Sequence, residues 1–77
     1  MVSDSAIAKQ LLDELFDISS RLDASVAKVQ ELCPESELIV YRRGVGEVMG
    51  EMWDRLLNPL MVKHPNLRPP QLKDADA

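Results

Sequence analysis

From Ala8 onward, Ala8, Leu11, Leu15, Ile18, Leu22, Ser25, Val29 and Leu32 recur at alternating spacings of three and four. A 3.5-residue period held over more than three heptads puts one seam along one side of a long helix. A helix with one apolar side must bury that side against another element. Ser3, Asp4 or Ser5 stands where the helix needs an N-cap. Cys33-Pro34 then stops the helix, because the residue before a proline is pushed out of the α region. Pro34 suits the first position of a new helix, and Glu35 and Glu37 favour that helix's positive end.

The expected architecture is therefore all-α: an antiparallel helical hairpin, with helices over about 5–32 and 35–57 and a bend near Pro34. The second helix has a seam at Leu38, Tyr41, Val45, Val48, Met52 and Leu56. Its charged arc is Arg43, Glu47, Glu51, Asp54 and Arg55. The remaining apolar arc covers about 200°, wider than the ~100° stripe of a surface helix. A second row, Ile39, Arg42, Gly46, Gly50, Trp53 and Leu57, runs beside the seam. One side of this helix is expected to meet the first helix, and the other to need a partner.

Asn58-Pro59 is expected to kink the second helix, or to restart it as a short turn over about 59–63 with Asn58 as cap. The hairpin domain then spans 1–63. A proline-containing arm follows over 64–77, where Pro65, Pro69 and Pro70 favour an extended path and the end has nothing to bury.

Size makes the second surface important. The chain has 77 residues, three aromatics and one cysteine. Below about 70–80 residues a single core rarely supplies more than ~3–5 kcal/mol. A lone Cys33 gives no internal disulfide, and no cluster has metal-ligand spacing. Oligomerisation is the expected remedy: two hairpins pairing two-fold into a four-helix bundle, since closed dimers are the commonest oligomers. The surface expected to join them comprises Leu12, Phe16, Ile39, Arg42, Gly46, Met49, Gly50, Trp53 and Leu57. Gly46 and Gly50, one turn apart, would let two helix backbones approach closely. The competing reading is that these glycines make room for bulky neighbours inside the hairpin. Phe16 and Trp53 are expected at one level, anchoring an apolar patch or capping the intramolecular core.

Other chemistry is thinly supported. A net charge of −4 argues against nucleic-acid binding, which draws its affinity from phosphate neutralisation. The longest uncharged apolar runs, Leu38–Tyr41 and Asn58–Val62, fall far short of the ~20 residues that span a membrane. Asp4, Asp13, Glu14 and Asp17 leave no basic leader segment, so a free thiol points to the cytoplasm. Leu38–Tyr41 followed by Gly44, Gly46 and Gly50 has the order of a dinucleotide-binding turn, but its spacing is one residue too long and too little chain follows.

Glu14, Asp17, Glu47, Glu51 and Asp54 read as a solvated acidic face; the alternative is that acids from both helices converge to bind Mg²⁺ for phosphohydrolase-like chemistry. Arg42, with Tyr41 and Arg43, would hold an anion, unless it packs its stem and sends its head to water or into an interface ion pair. Cys33 reads as a small buried hydrophobe, and His64 has no second His or Cys nearby. No cofactor or catalytic set is expected. The function this leaves is a small non-enzymatic interaction or regulatory module that works as a homodimer, with a further protein partner open.

Overall fold

A computed structural model describes residues 1–68. Its elements are α1 (Ser5–Leu32), α2 (Glu35–Met52), a π-helical turn (Trp53–Leu57), α3 (Asn58–Lys63) and a 3₁₀ turn (Pro65–Leu67). There is no strand among the described residues. No helix among them is long and apolar enough to cross a membrane.

Asp4 is the cap of α1: its carboxylate accepts the Ala6 N–H at 2.8 Å and the Ile7 N–H at 3.1 Å. Such a cap is worth about 1 kcal/mol. Outside, Lys9 pairs with Asp13 and Asp17 with Arg21, one turn apart and exposed, each worth a few tenths of a kcal/mol. Cys33 and Pro34 are both extended, at ψ 159° and 154°. Pro34 stands one residue ahead of α2 rather than at its first position. Two extended residues suffice to fold α2 back along α1.

Asn58 does not restart the helix as a cap. It is helical (φ −61°, ψ −47°), its side chain makes no capping bond, and its N–H reaches back to the Trp53 carbonyl. Pro59 explains the widened turn. A proline inside a regular helix lacks the N–H and drives its ring into the carbonyl four residues back, here Arg55, at ~3 kcal/mol or more. Inserting one residue into the turn moves that carbonyl aside and keeps the chain helical. The insertion also shifts every later side chain by one position. The seven-residue row Leu38, Val45 and Met52 is continued by Leu60, not by Pro59, and Leu57 is fully buried while Leu56 is 41% exposed.

The inward face of α1 is likewise turned from the expected seam. Ala8, Leu15, Leu22 and Val29 lie where the period places them. Between them the hairpin takes Leu12, Ser19, Val26 and Cys33 as its other inward row. Ile18 and Leu32, expected inside, are 45% and 72% exposed.

The core is uneven. Ala8, Leu12, Leu57, Leu60 and Met61 form one buried cluster at the open end, with Leu11, Leu15, Phe16, Met52, Trp53 and Leu67 packed against it. Towards the bend, among the described residues, only Leu38 and Val45 are buried. The segment after α3 is not extended over Pro65–Leu67, which forms a 3₁₀ turn closed by the Leu67 N–H on the His64 carbonyl at 2.9 Å. Leu67 thereby meets the core, and a buried His64 donates from Nε2 to the Val2 carbonyl at 2.8 Å. The expected disorder at the end of the arm falls on 69–77, outside the described residues.

Candidate functional site

Two helices in one layer can bury only the sides that face each other, so among the described residues the flanks of both seams remain open. On one flank this leaves an apolar groove along the hairpin. Near the bend it is lined by Val29, Cys33, Val40 and Tyr41 with Ser36 and Glu37 at its edge. Midway the lining is Leu22, Val40, Tyr41, Gly44, Val45 and Val48. At the open end it is Val2, Leu11, Leu15, Ile18, Leu56 and Leu60, with Glu14 at the edge. The lining is almost wholly apolar throughout. Tyr41 lies across it: its hydroxyl donates to Ser25 Oγ at 2.8 Å, and Ser25 in turn donates to the Leu22 carbonyl at 2.6 Å. These two bonds satisfy the polar atoms of the groove floor and leave the ring as apolar surface.

The expected interface residues divide into three groups. Leu12 and Leu57 are inside the hairpin's own core. Phe16 and Trp53 meet edge to face, with ring centroids 6.0 Å apart, half-buried against that core, and Met49 is half-buried too. Ile39, Arg42, Gly46 and Gly50 are exposed on α2. A Cβ built on Gly46 or Gly50 would meet nothing within 4 Å, so the hairpin itself has no need of their smallness. Gly44 is equally open and differs in lining the groove. Val40 and Gly44 belong to neither of the two rows expected on α2. The signal for them was an uncharged helix face, Val40, Tyr41, Gly44, Val45 and Val48, recurring one and four residues apart between Arg42, Arg43 and Glu47.

The five acids do not form a metal centre: among the described residues no group of three or more His, Cys, Asp or Glu side chains converges. Asp17 and Glu51 are instead taken up by Arg21 and Arg55 on their own helices. Leu38–Tyr41 is helical and continuous with the glycines, so there is no strand-turn-helix to cradle a phosphate. Cys33 is a free, half-buried thiol at the bend end of the groove, and His64 is committed to the Val2 carbonyl. Comparison with known protein families, with characterised proteins and with solved structures finds no match for the chain.

Proposed function

We propose that this protein is a small non-enzymatic helical interaction module that works as a homodimer, acting in the reducing cytoplasm where a lone thiol stays free. The observation that carries this reading is the groove: an apolar flank running from Val29 and Val40 to Leu11 and Leu56 that no element among the described residues covers. Contiguous apolar patches above a few hundred Å² are rare on monomers and mark contact surfaces. The thin core near the bend adds to it, since two helices sharing Leu38 and Val45 as their only buried side chains there gain little from each other. Acids paired outward along single helices speak for a solvated face rather than for catalysis.

Gel filtration coupled to light scattering tests the reading on the full chain. A mass twice 8.6 kDa at micromolar concentration is the expected result. A helical monomer at tens of micromolar would overturn it.

A further inference from the structure

Resting on the homodimer reading, we infer that the surface joining the two copies is the Tyr41 groove, and that the second hairpin lies on it end for end. The Gly46–Gly50 row stays outside.

Spacing, area and charge lead there. Leu11, Ile18 and Leu32 keep the seven-residue repeat on the outer flank of α1, with Ser25 completing it, and Tyr41 and Val48 keep it on α2. A repeat of that period suits helices running alongside, not a globular patch. A second hairpin offers both helices such a neighbour at once. Ile18, Val40, Tyr41, Val48 and Leu56 are exposed by 45%, 71%, 39%, 56% and 41%. Together with the half-buried leucines between them they present on the order of 500 Å² of apolar surface. A standard interface hides about 800 Å² per partner including its polar rim, so the apolar part of this groove is of the size such an interface needs.

The rim sets the direction. Glu14 and Lys28 lie seven residues either side of Arg21 on α1, both exposed. Residues three and four apart share a flank, which puts Lys28 beside Ser25 and Leu32, and Glu14 beside Leu11 and Ile18. A copy turned end for end about the level of Arg21 brings Glu14 against the partner's Lys28, and Lys28 against the partner's Glu14. Arg21 at the turning point is already countered by Asp17. Laid on in the same direction, the two charges would remain at opposite ends.

The test uses the full chain and its dissociation constant by sedimentation, with helix content followed by circular dichroism. Val48→Glu and Ile18→Glu, each at a side chain about half exposed, should leave the hairpin folded and weaken the dimer at least about a hundredfold. Gly46→Leu with Gly50→Leu should leave it unchanged. A dimer that survives Val48→Glu and Ile18→Glu but fails with the glycine variant overturns the groove as the interface, while the homodimer reading stands. A wild-type monomer overturns both. Glu14→Lys or Lys28→Glu alone should weaken association several-fold, and the two together should restore it. A double variant weaker than either single one overturns the end-for-end direction. Spin labels on Gln30→Cys in a Cys33→Ser background give a second reading of direction. Eighteen residues of helix at 1.5 Å rise put the labels about 27 Å apart when the copies run end for end. A separation under about 20 Å would overturn that arrangement.

Discussion

The Trp53 carbonyl accepts the N–H of Asn58, five residues along the chain, and that one widened turn decides which leucine the core receives. Leu57 enters the buried cluster with Leu60 and Met61, and Leu56 is left at the groove. Truncation should report this directly. Leu57→Ala is expected to cost about 3 kcal/mol in chemical unfolding, and Leu56→Ala less than half as much at equal concentration. Equal or reversed costs, measured below the dimer's dissociation constant, would mean that the helix passes Pro59 without the extra residue.

His64 ties the last helix to the start of the chain through the Val2 carbonyl. His64→Ala removes a buried hydrogen bond and leaves an acceptor unmet, so a loss of about 1–2 kcal/mol is expected. Amide exchange should quicken most around residues 2–8. Unaltered exchange there would show that the contact holds nothing in place.

Ser19 faces α2, and its hydroxyl finds no hydrogen-bond partner among the described residues. Ser19→Ala removes a desolvated polar group and substitutes the best helix former. The thermal midpoint should rise, in step with a gain of about 0.5–1 kcal/mol. A fall would point to a partner that the hydroxyl meets in solution.

Gly46 and Gly50 are helical, exposed and unobstructed. Gly46→Ala and Gly50→Ala should each stabilise the chain by about 0.5–1 kcal/mol, through lower backbone entropy in the unfolded state. Destabilisation by either alanine would be the sign of a helix packed closely against that row.

Much of this fold could be read from residue order. The 3.5-residue period, the cap signal at Asp4 and the stop at Cys33-Pro34 determine two helices and a bend, and they lie where expected. Phe16 and Trp53 meet, as a bend near residue 34 requires. The rotation of each helix was harder to read, for a physical reason. The rows 11, 18, 25, 32 and 12, 19, 26, 33 of α1 are both largely apolar or small, and each makes a 3.5-residue seam with Ala8, Leu15, Leu22 and Val29. Which of them faces inward depends on the helix opposite. On α2 that choice is tied to the extra residue that Pro59 forces, an effect periodicity cannot register because it assumes an unbroken helix. The surplus apolar width of α2 was therefore legible, but the flank carrying it was not.

The lopsided core has a consequence for how the molecule breathes. A hairpin pinned by five buried apolar residues at one end and by two near the other should not open as a unit. Segments with few buried contacts open at a fraction of the global free energy, so protection should fall steadily from the Phe16–Trp53 level towards Pro34. A copy seated on the groove would abolish that gradient. The loose end of the monomer is then the part that assembly makes rigid, and association becomes measurable as lost motion at residues far from any chain terminus.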